Sequence, residues 1–349
     1  MPIYPVLRSL LFRLDPEDAH HLALALLRVA ASTPLSRGWL RRQFDLAGRD
    51  QQVECCGLTF RNPLGLAAGY DKDGRAVAAL ALLGFGHIEV GTVTPQAQGG
   101  NPRPRIVRLP ADRAVINRMG FPNRGAQALR ARLARVPRER DFVLGLNLGK
   151  GRDTPLERAH EDYCALVGAL GKFADYLAVN ISSPNTQGLR QLQSRAYLDQ
   201  LLPAVLGERE RVARLRGRAL PVLVKLAPDL TWPELDEILD RLLAHGVEGV
   251  IATNTTLARP GLISPHAGEA GGLSGAPLRE RAREVVAYIH AHTGARLPIV
   301  GVGGIMSADD ARRMLEAGAR LVQVYTGLVY SGPGLAHEIL TALRRQAAR

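Results

Sequence analysis

Lysine is nearly missing from this chain. Lys72, Lys150, Lys172 and Lys225 are the four lysines among 45 basic residues, and the rest are arginine. Such an excess reflects genome composition. Arginine and lysine exchange freely on surfaces but not where a compact ammonium must fit a tight site, so a lysine at a strand end is a candidate for chemistry. Cysteine is scarce too. Cys55 and Cys56 are adjacent and Cys164 stands alone, which excludes a disulfide framework and zinc-ligand spacing and suits a reducing compartment. No stretch of about 18 residues is free of charge, so a membrane-spanning helix is excluded. A signal peptide is not expected either, because acidic residues precede the short apolar run near the start. No His/carboxylate cluster suggests a metal, and no Ser/His/Asp order suggests a hydrolase. His20, His21 and His87 are dispersed and read as structural.

What is present is 349 residues, 46% of them hydrophobic, with 36 Gly and 22 Pro scattered along the chain. Disorder, collagen and coiled coil are poor descriptions of that mixture. The net charge of +12 leaves open an RNA, membrane or anionic-ligand partner, or a solvated basic surface. Ile3, Val6, Leu7, Leu10, Leu11 and Leu14 fall at amphipathic helical spacing. Asp15 caps a second helix, with Pro16 at its first position and Glu17 and Asp18 in its first turn. Its apolar positions are Leu22, Leu26, Leu27 and Val29, and a break falls near Thr33-Pro34. These helices, carrying Arg8, Arg13 and Arg28, either lie in a membrane interface or pack on the main domain.

From about residue 50, short β-rich runs alternate with helical patterns. The runs are 64–69, 87–93, 142–149, 176–182, 220–227, 249–254, 298–305 and 321–327. Between them lie helices such as the one with Leu235, Ile238, Leu239, Leu242 and Leu243, which has a Thr231/Glu234 capping box and a Gly246 stop. Another runs from Ser307 to Gly318. This is the pattern of a (β/α)₈ barrel of α/β class with a small N-terminal helical extension, divided at residues 1–45 and 46–349. A doubly wound sheet is the runner-up, but the first strand lacks its glycine fingerprint.

In such a barrel the active site lies at the C-terminal strand ends. Those ends are polar here: Asp71-Lys72, Thr92, Asn147 to Lys150, Asn180 to Asn185, Lys225, and Thr253-Asn254-Thr255. Turn chemistry explains one such residue but not their recurrence at one end, so a shared pocket is expected. Gly301 to Gly304, followed by a helix opening at Ser307, and Tyr325-Thr326-Gly327 carry a phosphate-binding signal. Asn117, Asn147, Asn180, Asn185 and Asn254 offer paired donors and acceptors suited to a flavin or a pyrimidine ring.

Ala67 to Lys72, Glu89 to Pro95, Asn117 to Phe121, Asn180 to Asn185 and Gly301 to Ile305 together resemble dihydroorotate dehydrogenase. The resemblance spans nearly the whole chain, N-terminal helices included. It implies an FMN-dependent barrel oxidising dihydroorotate to orotate in pyrimidine synthesis. The branch is class 2, membrane-associated and quinone-reducing. Class 1 members place a Cys where this chain has Ser183, and they lack the helical extension. Tyr70, where Phe or Leu is usual, and Thr326, where bacterial relatives often have Ser, depart from the common pattern.

The resemblance also implies roles. Ser183 would take the C5 proton of dihydroorotate, activated by hydrogen bonding and water exclusion. Lys72 would meet the substrate carboxylate. Asn117, Arg118, Met119, Gly120, Phe121, Asn180, Asn185, Asn254 and Thr255 would complete the substrate site. FMN would be held by Ala68, Gly69, Tyr70, Asp71, Lys72, Thr92, Asn147, Asn180, Lys225, Thr253, Gly275, Gly304, Tyr325 and Thr326. Lys225 would place positive charge near the flavin N1/O2. The loop from Ser183 to Leu192 would form a lid, with Pro184 and Gly188 as hinges. His20 and Arg108 match positions of the family's tunnel for a ubiquinone-type quinone. The implied protein is a monomer, peripheral on the cytoplasmic face of the inner cell membrane, without metal or nucleic acid. Two rivals differ in kind. A tRNA dihydrouridine synthase-like flavin barrel would suit the charge but needs a Cys acid and an RNA-binding domain. A membrane-docking module on a dead barrel would have lost Lys72 or Ser183.

Overall fold

The computed structural model describes residues 4–46, 51–137 and 139–347. Ile3, the first position of the expected apolar stripe, lies outside them. Eight parallel strands close into a barrel: β1 (Leu64–Leu66), β2 (His87–Val93), β3 (Val143–Leu148), β4 (Tyr176–Asn180), β5 (Val222–Leu226), β6 (Gly249–Ala252), β7 (Ile299–Val302) and β8 (Leu321–Val324). Closure is made by β8 pairing with β1, Val322 opposite Leu64 and Val324 opposite Leu66. The strands are rich in Val, Ile and Leu and buried along their length, as expected where helices cover one face and barrel side chains fill the other. The helix Trp232–Ala244 starts on the expected capping box, Thr231 with Glu234. Gly246, at φ +71°, follows its end.

Two additions frame the barrel. At its base, the hairpin Val53–Cys55/Leu58–Phe60 inserts Phe60, 2% exposed, among Tyr176, Leu223, Ile251, Val300 and Leu321. Burying one such aromatic stabilises by roughly 1.5–3 kcal/mol. Over its C-terminal end lies a three-stranded antiparallel sheet, Ile106–Leu109, Ala114–Asn117 and Gly272–Gly275. The expected alternation of strands and helices does not include this sheet. It pairs segments more than 150 positions apart, and its strands are too short to carry a periodic signal.

The N-terminal extension has three helices, not two: α1 (Tyr4–Leu11), α2 (Pro16–Ala30) and α3 (Pro34–Phe44). The break at Thr33-Pro34 is real, and it is also a start. Thr33 caps α3 with Ser36 completing a capping box, and Pro34 opens the helix. The helices both pack and expose apolar surface. Leu24, Leu40 and Phe44 join the barrel core. Tyr4 Oη donates to Val329 O at 2.7 Å, and Glu17 pairs with Arg105 at 2.6 Å. The opposite face carries Val6, Leu10, Leu14, Leu26, Val29, Leu35 and Trp39, all at least 44% exposed. Most of the apolar stripe therefore points away from the barrel.

Candidate active site

A cavity of about 470 Å³ opens at the C-terminal end of the barrel, roofed by α1, α2 and the three-stranded sheet. Side chains alternate along a strand, so His87 and Glu89 of β2 both point to the barrel axis. Glu89 lies just under the cavity floor and is fully buried. It accepts from Asn147 Nδ2 at 2.7 Å, Tyr176 Oη at 2.9 Å and Gln323 Nε2 at 2.9 Å. Lys225 Nζ stands 3.8 Å from its Oε1. Above this layer Asn180 Nδ2 donates to Thr92 Oγ1 at 3.0 Å and to Asn147 Oδ1 at 3.1 Å. Thr92 Oγ1 donates to the same Asn147 oxygen. The floor is a polar layer drawn from β2, β3, β4, β5 and β8, hydrogen-bonded as buried polar groups require except at Gln323 Oε1 and the Lys225 ammonium, which have no hydrogen-bond partner among the described residues.

The rim continues the pattern. Asn254 Nδ2 donates to Ser182 Oγ at 3.0 Å, and Ser182 Oγ donates to Asn180 Oδ1 at 3.0 Å. Asn185 Nδ2 donates to Asn117 Oδ1 at 3.2 Å, joining the β4 loop to the three-stranded sheet. Ser183, 5% exposed, lines the cavity, and its Oγ accepts from Asn185 N–H at 3.3 Å. A donor aimed at the oxygen favours the charge that develops when a serine gives up its proton. Lys72 Nζ donates to Gly69 O at 3.0 Å. Burial pushes its ammonium down to about 8, against the opposing pull of Glu17. Asp71 plays a framing part: its carboxylate accepts from Arg75 N–H at 2.8 Å and Ala76 N–H at 2.7 Å.

At the ends of β7 and β8 the backbone is open toward the cavity. The N–H groups of Gly303, Gly304, Thr326 and Gly327 have no hydrogen-bond partner among the described residues. Gly304 sits at φ +71°, where a Cβ would stand 2.2 Å from Arg279 Cα, so only glycine fits. The helix that opens at the cavity is Thr326–Ser331, not the one after Ser307. The latter spends its first donors on its own residues. Ser307 Oγ accepts from Asp310 N–H, and Asp310 accepts from Met306 N–H.

Most of the residues expected at the site do line this cavity. Ala68, Gly69, Tyr70, Met119, Gly120, Phe121, Thr253, Thr255, Gly275, Tyr325 and Thr326 are all there. Asn147 reaches it only through Thr92 and Asn180. Arg118 turns away, and its guanidinium pairs with Glu269 at 2.9 Å. His20 lies edge-on to Tyr70 at 4.9 Å, and Tyr70 edge-on to Tyr325 at 5.5 Å, a row of rings from α2 to the cavity. Burial pushes His20 down to about 3, so it is neutral near pH 7. Arg108 lines the cavity wall with its guanidinium on Leu11 O at 3.1 Å and over the Phe12 ring at 4.6 Å. Arg8, expected at a lipid surface, instead donates to Tyr330 O at 2.9 Å and docks α1.

The four lysines divide. Lys72 and Lys225 line the cavity. Lys150, also at a strand end, donates to Gly151 O at 2.7 Å and to Arg152 O and Thr154 O, so it organises its own loop. Lys172 is exposed, over the Phe173 ring at 5.0 Å. Sequence reasoning missed Glu89, Tyr176 and Gln323. The one available signal was a carboxylate in the middle of an apolar strand. It also missed Arg190, which donates to Ser182 O at 3.1 Å and Thr255 O at 3.1 Å and pairs with Asp229 at 2.7 Å. That arginine fastens the loop bearing Ser183 to the ends of β5 and β6. Among the described residues no group of His, Cys, Asp and Glu could hold a metal.

The family model for dihydroorotate dehydrogenase matches residues 51–346. A Burkholderia lata protein named dihydroorotate dehydrogenase (quinone) is 51% identical over 345 residues, covering 99% of this chain and 98% of that one. A Paraburkholderia phymatum protein of the same name is 52% identical over 349 residues, with 99% of each covered. A crystal structure of the Eimeria tenella enzyme in complex with ferulenol superposes with a TM-score of 0.86 at 39% identity, covering 96% of this chain and 93% of that one. With a family match over nearly all of the barrel and relatives alike from end to end, this chain belongs to the dihydroorotate dehydrogenase family and stands with its members named for quinone.

Proposed function

We propose that the protein oxidises dihydroorotate to orotate at an FMN in the barrel-end cavity and passes the electrons to a membrane quinone, as a step of pyrimidine biosynthesis. Membership of the family makes it a flavoprotein oxidoreductase. The observation that carries the finer reading is the convergence on one cavity of Ser183, Lys72, Asn117, Asn185 and Asn254 with the open amides of β7 and β8. The residues fit FMN. Four free N–H groups suit a phosphate, and Gln323 Oε1 is buried without a partner among the described residues. Lys225 supplies the positive charge that a reduced isoalloxazine needs. An RNA substrate finds no support among the relatives.

FMN supplies the hydride acceptor. The chain's own residues do the rest. The Lys72 ammonium meets the carboxylate of dihydroorotate. Asn117, Asn185 and Asn254 present donors and acceptors to the ring amides, the first two held ready by the bond between them and Asn254 by its bond to Ser182 Oγ. Ser183 Oγ takes the C5 proton, helped by the Asn185 N–H. Arg190 keeps the Ser183 loop seated.

We divide the chain at residues 1–45 and 46–349, extension and barrel. Among the described residues no helix is long and apolar enough to cross a membrane. The outward apolar face of α1–α3, with the exposed Arg13, Arg28, Arg37, Arg41 and Arg42, suits peripheral binding to the cytoplasmic face of the cell membrane. His20 and Arg108 then flank the quinone path, and the protein works as a monomer without nucleic acid. The test is anaerobic flavin reduction by dihydroorotate, followed by reoxidation with quinone, fumarate or NAD. Bleaching by dihydroorotate and rapid recovery with quinone alone is expected. Recovery with fumarate or NAD alone overturns the quinone reading.

A further inference from the structure

We propose that Glu89 is the counter-charge that sets how strongly Lys225 favours reduced flavin, a positioning residue beneath the cavity floor. The inference rests on the reading of the cavity as a flavin site.

Glu89 is 0% exposed and does not itself line the cavity. Its effect on a ligand there must pass through its neighbours. Both carboxylate oxygens are engaged, Oε1 by Asn147 and Oε2 by Tyr176 and Gln323. A carboxylate in a dry interior is costly unless it is so held. Lys225 differs from those three partners. Its ammonium, on a side chain 6% exposed, stands 3.8 Å from Glu89 Oε1, beyond hydrogen-bond reach. Lys225 makes no hydrogen bond to any described residue, which leaves its three N–H donors for the cavity. Glu89 thus holds the ammonium by charge without using its donors. A buried ion pair adds little to stability compared with apolar residues of the same volume. Here the pair stands at the cavity, where partial neutralisation has a use. An uncompensated lysine would stabilise anionic reduced flavin strongly and slow its reoxidation by quinone, whereas an opposed one lets electrons enter and leave.

The sign of the effect is the test. Glu89→Gln keeps the shape and removes the negative charge; its NH2 replaces Oε2, where the Tyr176 hydroxyl can rotate and the Gln323 amide can flip to present its unpartnered Oε1, while Asn147 keeps its acceptor. The ratio of reduced to oxidised flavin affinity should rise about ten-fold, which is a potential about 30 mV more positive for a two-electron couple. Lys225→Met should move it the other way, and the double variant should return near the wild-type value. Glu89→Asp, which keeps the charge one methylene further back, should shift upward by less than Gln. The readouts are the equilibrium potential against a reference dye and the affinity of the apoprotein for oxidised FMN. A purely structural Glu89 would lower flavin affinity and leave the potential unmoved, and that outcome overturns the proposal. If Glu89→Gln fails to fold, an Asp variant at or below the wild-type potential overturns it equally. Wild-type protein that purifies without flavin and binds none would sink the flavin-site reading itself, a separate result.

Discussion

The cavity floor and the N-terminal helices are built on opposite rules. The floor is polar and inward: Glu89, Asn147, Asn180 and Thr92 bond to one another, and hardly any of their surface reaches water. The helices are apolar and outward: Leu26 is 52% exposed, Val29 69% and Leu35 88%, while Glu17 turns in to meet Arg105. Each inverts the usual disposition of a folded domain, and on the proposed function each would do so where a different molecule arrives. A polar interior serves a polar ring system. An apolar exterior serves a lipid-soluble partner. On the proposed function, the contrast would give the two half-reactions separate structural owners that meet at one cavity wall.

That separation can be broken experimentally. The largest effect is expected at Ser183. Ser183→Ala should keep FMN bound but slow flavin reduction by roughly 10²–10⁴, the usual value of a general base. Stopped-flow should show reoxidation by quinone unchanged. An equal loss in both half-reactions would merge the two regions. The helices should show the reverse. Replacing Leu26 and Val29 together by Asp should release the protein from anionic vesicles and slow reoxidation by long-chain quinone about ten-fold, since each aspartate opposes insertion. Reduction by dihydroorotate should be untouched, and a short, water-soluble quinone should restore the rate.

Lys72 sharpens the comparison through pH. Its free-enzyme value of about 8 lies below that of an ordinary lysine because burial disfavours the ammonium. A bound carboxylate favours the charged form. Orotate affinity should therefore be level below pH 8 and fall above it, approaching ten-fold per pH unit. Flavin absorbance titrations from pH 6.5 to 9.5 would read this, and flat affinity across the range would remove Lys72 from the carboxylate site. The smallest effect belongs to Lys172. It is exposed and not part of the cavity lining, so Lys172→Ala should alter neither half-reaction, and a measurable change would weaken the case built on lysine scarcity.

The barrel is legible because each strand is a local apolar run, and the polar strand ends are legible because they interrupt those runs. Lys72, Asn180, Ser183 and Asn254 stand out on that basis. What stayed hidden depends on partners far apart in sequence. Glu89 gains its meaning from Asn147, Tyr176 and Gln323, on three other strands. The sheet that delivers Asn117 forms only when residues near 115 meet residues near 273. The orientation of α1 was hidden for another reason. Periodicity shows that a helix has an apolar side but not which side docks, and here docking falls to Tyr4 and Arg8. Lys150 and Lys72 look alike in sequence. Only three-dimensional packing shows that one faces its own loop and the other the cavity.

Lys150 closes a ring with the carbonyls of Gly151, Arg152 and Thr154. In many proteins a loop of this kind is gathered around a bound alkali or alkaline-earth ion. Here the cation is tethered to the chain, present at unit occupancy whatever the medium contains. The loop after β3 therefore needs no ion from solution to keep its shape, and a chelator has nothing there to remove. A guanidinium is too broad and too flat for that ring, which accounts for a lysine at this position in a chain whose other cations are nearly all arginine.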